Sequence, residues 1–285
     1  MFLAALLSAA SLFSQRVVSL APGLTEIVFA VGRGSALVGV TRFCDYPAAA
    51  RRIARIGGLL DFNTEALVAL APDIVIAYPE HAGRLRFLPK RVHVVTVRHE
   101  RLPDLMGSIP EIGRALGAEG EAKRLVHSME RKLEEVSRRV SGKKKVRVLC
   151  IAGRNPGELR NMFIIGRGDF LNDLMAVAGA TNAYTGDVAY PSISLEAVIF
   201  LDPEVILEIS AHYEGISDDK IFALWRPYGM VSAVAKKQVR IIKDSFWLRP
   251  GPRVGLIAEA LAEMLHQPVR RSGGQAENRP WAAHD

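Results

Sequence analysis

The chain has 285 residues, of which 49% are hydrophobic and 24% charged, and it carries a formal net charge of +7. This is the composition of a globular protein, and the length allows two modest lobes or one large domain. The basic residues are scattered without a stripe of interleaved aromatic residues, so nucleic acid is not an expected partner. Two cysteines, Cys44 and Cys150, are too few for a disulfide framework and lack the spacing of a zinc site. Whether they pair with each other is left open.

The two ends of the chain differ from the rest in composition. Residues 1–15 form an apolar stretch without a charge, too short to span a bilayer. The stretch resembles the apolar region of a signal peptide, although the usual basic start is missing, so we predict export. A buried N-terminal helix is the alternative. Residues 269–285 are polar and contain Gly-Gly and Pro, which predicts a disordered tail.

After residue 15, short β-branched runs alternate with short helical patterns. Thr25 precedes an apolar run that ends at Gly32, which predicts a helix capped by Thr25. A second helix is predicted at 65–70. The predicted strands lie at 16–20, 37–40, 73–77 and 91–95. Strands that alternate with helices indicate parallel βαβ units.

The pattern changes between residues 116 and 140, where a charged stretch carries apolar residues at intervals of three and four. These apolar residues are Leu125, Met129, Leu133 and Val136. The spacing predicts one long amphipathic helix. A strand follows at 146–151, and the α/β pattern starts again. We therefore predict an N-terminal α/β lobe at 16–115, a linking helix at 116–142 and a C-terminal α/β lobe at 143–268.

One motif occurs in both predicted lobes. Residues 63–75 read NTEALVALAPDIV and residues 194–206 read SLEAVIFLDPEVI. Both contain a polar residue, Glu-Ala, an apolar helix, a proline, an acid and then a strand. Residues 25–32 are similarly echoed by residues 172–179. The echoes predict two Rossmann-like α/β lobes with parallel sheets, joined by one long helix, with a ligand cleft between the lobes.

Several segments together give the chain a family resemblance. These segments are VVSLAPGLTE (17–26), GVTRFCDYP (39–47), GGLLDFNTE (57–65), GDFLND (168–173), AGATN (178–182) and RPGPR (249–253). With them, the chain from residue 16 to residue 268 resembles the helical-backbone (class III) substrate-binding proteins of ABC importers, which bind cobalamin, haem or ferric siderophores. The run TRFCDYP is most similar to the cobalamin-binding branch. The resemblance implies a periplasmic or extracytoplasmic protein that delivers cobalamin, or a related corrinoid, to a permease. Haem and ferric siderophores remain alternatives.

The resemblance also implies roles for particular residues. Glu65 and Glu196 fall where the family places one glutamate per lobe to pair with arginines of the permease, whereas helix capping alone would also explain them. The expected partners are the permease with its ATPase subunits, and a monomer is expected. Loops after the strands are expected to bind the ligand. The candidates are Pro22, Gly23, Phe43, Tyr46 and Leu59 in the first lobe and Tyr190, Trp247 and Arg249 in the second.

Three of these candidates carry open alternatives. Leu59 departs from the family pattern, because a cobalamin-binding relative has a large aromatic residue there, and stacking on the ligand is thereby lost. Arg249 suits a phosphate, carboxylate or amide of the ligand, but a surface salt bridge is the competing interpretation. Trp247 is equally expected in the core.

Two histidines share a position relative to the repeat. His81 follows Glu65 by 16 residues, and His212 follows Glu196 by the same interval. Because neutral imidazole is a good ligand for cobalt or iron, we hypothesise that one of them is an axial ligand of the bound metal or contacts the polar rim of the ligand. The alternative is a pair of exposed loop histidines.

Enzyme motifs are missing from the sequence. It contains no Gly-x-Gly-x-x-Gly after a strand, no phosphate-binding Gly-x-x-x-x-Gly-Lys-Ser/Thr, no Gly-x-Ser-x-Gly and no His-Glu-x-x-His. We therefore expect a binding protein that has neither a catalytic site nor a cofactor and whose only ligand is its cargo. A two-lobed chelatase-like enzyme, with His81 beside Glu80, is the competing class.

Overall fold

A computed structural model of the protein describes residues 15–211, 213 and 215–266. The chain divides into two compact units. We call lobe 1 the residues up to Arg98 together with Gly107–Val126, and lobe 2 the residues His99–Met106 together with those from His127 onward. The chain changes unit after residues 98, 106 and 126, and the last of these points falls inside the predicted linking helix. Residues 1–14 of the predicted signal peptide and the whole of the predicted tail lie outside the described residues, as does His212.

Lobe 1 contains a four-stranded, fully parallel sheet in the order β2-β1-β3-β4. Its strands are β1 (Val17–Ser19), β2 (Leu37–Val40), β3 (Ile74–Ala77) and β4 (His93–Thr96). The helices that follow them are α1 (Pro22–Ala30), α2 (Thr64–Ala69), α3 (Ala82–Leu85) and α4 (Leu102–Ala115), which runs from one unit into the other. β1 and β3 are buried throughout, as strands of a parallel sheet are when helices cover both faces.

Helix α1 corrects one local prediction. It begins at Pro22, three residues before the predicted cap, because the fixed φ of proline and its missing N–H suit the first turn of a helix. Thr25 lies buried inside the helix, where its hydroxyl bonds the carbonyl of Ala21 at 3.1 Å. The predicted end is right, since Gly32 follows the helix with a φ of 74°.

Helix α5 (Glu119–Val140) lies within the range predicted for the linking helix. The apolar stripe behaves as the spacing indicated: Met129, Leu133 and Val136 are buried. Within lobe 2, Lys132 of this helix forms an ion pair with Glu259 at 2.8 Å. None of the described helices is long and apolar enough to cross a membrane.

Lobe 2 contains a larger, mixed sheet in the order β10-β9-β5-β6-β8, with β7 paired to β5. The strands are β5 (Val146–Gly153), β6 (Met162–Ile164), β7 (Ala180–Asn182), β8 (Ser192–Ile193), β9 (Val205–Ile209) and β10 (Val239–Ile242). The helices are α6 (Phe170–Val177), α7 (Leu195–Leu201), α8 (Asp218–Trp225), α9 (Ser232–Ala235) and α10 (Val254–His266). β7, β5, β9 and β10 are parallel, as predicted, whereas β6 and β8 are antiparallel additions.

The sequence repeat corresponds to a repeated hydrogen-bonded module. Equivalent residues lie 131 positions apart, as 16 and 147 or 70 and 201 do. In lobe 1, the guanidinium of Arg16 donates to the carbonyl of Leu70, the C-cap residue of α2, at 2.8 Å. In lobe 2, Arg147 donates to the carbonyl of Leu201 in the last turn of α7 at 2.6 Å. Both arginines therefore satisfy a carbonyl that a helix end would otherwise leave unpaired.

The turn after each helix is repeated as well. Ala71 and Asp202 both adopt left-handed backbone conformations, with φ values of 43° and 41°. The acids that follow, Asp73 and Glu204, accept the backbone N–H of the arginine of their own lobe at 2.8 and 3.0 Å. The two lobes thus share helix, turn, strand and hydrogen-bond pattern.

Candidate functional site

The two predicted docking glutamates occupy the same position in their lobes. Asn63 caps α2 by accepting the N–H of Ala66 at 2.9 Å, and Ser194 caps α7 in the same way at 3.3 Å. Glu65 and Glu196 are therefore the second residues of their helices, and both side chains are exposed. A hydrogen bond from Ser194 and one from the backbone lower the pKa of Glu196, so its carboxylate is charged at neutral pH.

The loops at the carboxyl edge of the sheet in lobe 1 hold the five ligand candidates of that lobe. Gly23 is buried and Pro22 half-buried in the first turn of α1, directly after β1. After β2 comes Phe43, whose ring is 46% exposed, and then the half-buried Tyr46. Leu59 is half-buried on a separate loop. Because all four strands are parallel, their carboxyl ends share one edge, and this brings these loops to the same side of the lobe.

An ion pair ties the Phe43 loop to the Leu59 loop. Arg42 bonds Asp61 at 3.0 Å, and its guanidinium carbon lies 5.1 Å from the centre of the Phe43 ring. The loop of Leu59 is closed by a bridge between Gly57 and Phe62, and Gly57 has a φ of 110°. A side chain at this glycine would clash with backbone, so the turn requires glycine.

His81 is not on the surface of its loop, where we expected it. It is 1% exposed and stacks on Tyr78, with the ring centres 5.9 Å apart. The edge of its ring meets Phe62, also at 5.9 Å. Its Nδ1 accepts the backbone N–H of Tyr78 at 3.0 Å, which fixes the proton of the neutral ring on Nε2. This geometry gives His81 a structural role within its lobe, and its contact with a ligand stays a hypothesis.

Both cysteines are buried free thiols. Cys44 lies between two hydroxyls, 3.2 Å from Thr25 and 3.1 Å from Thr41. Burial raises the pKa of both thiols, which keeps them protonated. The question of a disulfide, which the sequence left open, is thereby answered for the described residues.

In lobe 2, Tyr190 is 54% exposed, and its hydroxyl donates a short hydrogen bond to Asp169. Asp169 itself is buried, and it caps α6 by accepting the N–H of Leu171 at 2.7 Å. Burial raises the pKa of this carboxyl to about 6, against the hydrogen bonds that lower it. Asp169 was not among the predicted site residues, although an acid directly before an apolar helical run is the signal of an N-cap.

The remaining candidates of lobe 2 follow strand β10, in a 3₁₀ helix (Ser245–Leu248) and directly after it. Trp247 is fully buried, and its Nε1 has no hydrogen-bond partner among the described residues. Arg249 is half-buried and donates to the hydroxyl of Ser245 at 2.7 Å. Arg249 therefore keeps a place near the surface of its lobe, whereas Trp247 belongs to the interior.

A buried ion pair in lobe 2 was not predicted from the sequence. Glu208 in β9 accepts the Nε–H of Arg154 at 2.8 Å and the indole N–H of Trp225 at 2.7 Å. The Nη2 atom of Arg154 lies 2.6 Å from the same carboxylate, and both charged side chains are fully buried. The ring of Tyr213 lies 5.2 Å from the guanidinium carbon. The ion pair fixes the loop that begins at Arg154, since the same guanidinium donates to two carbonyls of that loop at 2.8 and 3.0 Å.

Comparisons with known proteins agree with this architecture. The model of a family described as periplasmic binding protein matches residues 17–245. The ABC transporter substrate-binding lipoprotein YvrC of Bacillus subtilis, itself uncharacterised, is 27% identical over 261 residues, 88% of this chain and 80% of that protein. The vitamin B12-binding protein of Vibrio cholerae is 25% identical over 246 residues, 84% of this chain and 85% of that protein.

Among solved structures, the periplasmic haem-binding protein HutB of Vibrio cholerae superposes with a TM-score of 0.76 at 19% identity, over 89% of this chain and 99% of that one. This likeness confirms the fold. The relatives confirm the predicted resemblance to substrate-binding proteins of ABC importers and the predicted extracytoplasmic location. Because the family model covers well over half of its residues, the chain belongs to the periplasmic binding protein family.

Proposed function

We propose that this protein captures cobalamin, or a related corrinoid, outside the cytoplasm and delivers it to an ABC importer permease with its ATPase subunits. In this role it works as a monomer and leaves its cargo chemically unchanged. The observation that carries the ligand is the alignment with a vitamin B12-binding protein over 84% of the chain. The predicted cleft between the lobes is part of this proposal.

The described side chains suit a large ligand that is partly apolar. Such a ligand needs a wide apolar surface and a few polar groups that fix its orientation. In lobe 1, Phe43 and Leu59 supply apolar surface, and Pro22, Gly23 and Tyr46 lie on loops at the same edge of the sheet. In lobe 2, Tyr190 supplies an aromatic surface and Arg249 a cation for phosphate or amide oxygens. His81 and Trp247 are buried, so they support the loops that bind the ligand.

The exposed glutamates suit transient docking. Glu65 and Glu196 are charged groups at equivalent positions, and we assign them to arginines of the permease. Rim charges of this kind set orientation and the association rate more than affinity. That is appropriate for a carrier that must bind the permease and then leave it.

Haem is the second candidate, and the pair Tyr190–Asp169 favours it. A phenolate is an established ligand of haem iron. The Asp169 carboxylate accepts the hydrogen bond of the Tyr190 phenol and is placed to take up its proton. The tyrosine is 54% exposed, which makes the residue accessible to a ligand.

The proposal is tested by titrating the purified protein with cyanocobalamin and, separately, with haemin. Calorimetry and visible spectra detect the binding. We expect saturable binding of one cyanocobalamin per chain and weaker binding of haemin. Phe43→Ala should weaken cyanocobalamin binding about tenfold, since it removes most of one exposed aromatic contact. Phe87→Ala, at another exposed phenylalanine of lobe 1, serves as the matched control. Binding of haemin alone, with loss on Tyr190→Phe, would instead identify a haem carrier.

The same samples distinguish a carrier from a chelatase-like enzyme. An enzyme would insert or release metal and change the ligand with time, whereas a carrier returns the intact ligand after denaturation. Among the described residues, no three His, Cys, Asp or Glu side chains are arranged to hold a metal ion. Mass spectrometry of the recovered cyanocobalamin therefore discriminates the two classes.

A further inference from the structure

The helices that carry the two glutamates expose apolar side chains on the same face. In α7, Ile199 and Phe200 lie three and four residues after Glu196, so they share its side of the helix. Phe200 is 88% exposed and Ile199 is 36% exposed. Val198 faces the opposite way and is fully buried in the core of lobe 2.

Lobe 1 repeats this face with smaller residues. In α2, Val68 and Ala69 lie three and four residues after Glu65, and Val68 is 36% exposed. Leu67 faces inward and is fully buried. The positions of Val68 and Ile199 are equivalent, and so are those of Ala69 and Phe200. We call these two surfaces the α2 face and the α7 face.

Neither carboxylate has a basic partner among the described residues, although the chain contains 37 lysines and arginines. By contrast, Glu204 and Glu259, on the same lobe as Glu196, both form ion pairs. Both faces thus combine an unpaired negative charge with exposed apolar surface. A surface that binds a partner typically has this combination, with an aromatic side chain as its energetic centre.

We infer that Phe200 is the energetic centre of docking on the α7 face, that the partner binds it in an apolar pocket beside the basic group that meets Glu196, and that the smaller side chains of the α2 face make that face the weaker of the two. The inference rests on the proposed function, in which the partner is the extracytoplasmic surface of the permease. Basic groups on the partner would complement the charge of both faces, and two similar sites on the partner would match the repetition of the face at equivalent positions.

The glutamates and Phe200 are expected to affect different rates of docking. The glutamates are exposed, so they govern the association rate and its dependence on salt. Phe200 removes a large apolar area from water when it enters a pocket, so it governs the dissociation rate. Ala69 at the equivalent position of lobe 1 has no such effect, and docking is therefore asymmetric even on a symmetric permease.

Biolayer interferometry on the permease–ATPase complex of the same organism, in nanodiscs, tests this inference. The complex is identified beforehand by the stimulation of its ATP hydrolysis by the wild-type protein. Phe200→Ala should weaken binding at least tenfold through faster dissociation, and Ala69→Phe should strengthen it. Phe87→Ala, an exposed phenylalanine outside both faces, should have no effect. Glu196→Gln should slow association at low salt. The affinity for cyanocobalamin should stay unchanged in Phe200→Ala and Ala69→Phe.

The possible results distinguish failure of this inference from failure of the proposed function. If the wild type docks and Phe200→Ala binds as tightly as Phe87→Ala, the inference is wrong while the proposed function stands. If the wild type binds its ligand but stimulates no permease, the proposed function itself fails. If Phe200→Ala converts a dimer of the free protein to a monomer in light scattering, the α7 face binds a second copy, and the inference is again overturned.

Discussion

Lobe 1 and lobe 2 are built on one hydrogen-bonded plan but differ in what they bury. In both, an arginine holds the end of a helix and an acid holds the backbone of that arginine. At the last residue of β3, lobe 1 has Ala77, whereas the equivalent residue of β9 in lobe 2 is Glu208, paired with Arg154. Lobe 2 also adds the antiparallel strands β6 and β8.

This difference separates the structural features that both lobes share from those that were added to one lobe. The helix, the left-handed turn and the strand occur in both lobes and depend on neighbouring residues. The Arg154–Glu208 pair and the antiparallel strands β6 and β8 have no equivalent at the matching positions of the described part of lobe 1, where the Arg42–Asp61 pair fixes two loops at the surface. Lobe 2 should therefore be the more sensitive of the two to the loss of one side chain.

The largest effect is expected from Arg154→Met. It leaves the Glu208 carboxylate buried without its cation, and breaking such a pair costs about 3–5 kcal/mol of the free energy of unfolding. Urea unfolding at neutral pH measures the loss. The double variant Arg154→Met, Glu208→Leu should recover most of the stability, because an apolar pair of similar volume is often neutral. A single variant as stable as the wild type would show that the pair does not distinguish the lobes.

The second-largest effect is the contribution of Asp169 to the pH dependence of the free energy of unfolding. Burial raises its pKa in the folded protein to about 6, so the protonated form favours folding. That stabilisation is fully present below the ordinary pKa of the carboxyl near 4 and is lost as the pH rises through 6, a change of about 3 kcal/mol. Asp169→Asn keeps the cap of α6 and should remove this pH dependence. The free energies of unfolding at pH 4.5 and 7 should then differ less than in the wild type.

An equal difference in both proteins would show that the charge of Asp169 does not carry the pH dependence. Helix α1 of lobe 1 has no such acidic cap, because its N-cap is Ala21, which makes no side-chain hydrogen bond. The pH dependence is therefore expected from the cap of α6 in lobe 2 and not from that of α1.

The smallest expected effect is the change in stability when glycine replaces the left-handed residue after each helix. This change should have opposite signs in the two lobes. Ala71→Gly relieves a left-handed conformation that costs an L-residue about 1–2 kcal/mol, and the entropy of glycine offsets part of this, so a gain of about 0.5–1 kcal/mol is expected. Asp202→Gly should lower stability instead, because Asp202 accepts the N–H and hydroxyl of Ser232 at 2.6 and 2.9 Å. Thermal melting of both variants checks the signs. Shifts in the same direction would contradict the distinction.

The sequence predicted the features that depend on local pattern. The motif around Glu65 and Glu196 was recognisable because capping, helix length and the proline after the helix all act within a few residues. The stripe of the long helix followed from its period. Gly32 marked a helix end for the same reason, since only the adjacent backbone decides whether glycine is needed there.

Features that depend on distant residues were not predictable. β6 and β8 have three and two residues, too short for a period of two to show. Glu208 looks like any acid in a strand until Arg154 is brought beside it by the fold. The repeat placed His81 on a loop, either against the ligand or exposed, but Phe62 and Tyr78 pack on its ring and it is buried. Such placements follow from tertiary packing, which no short window contains.

Uptake of radiolabelled cyanocobalamin by cells in which this protein is the only binding protein for that vitamin tests the central claim most directly. The account predicts uptake that requires the protein and that falls when Glu65→Gln and Glu196→Gln are combined, while the purified double variant still binds cyanocobalamin. Uptake that is the same with and without the protein, or unaffected by the double substitution, would contradict it.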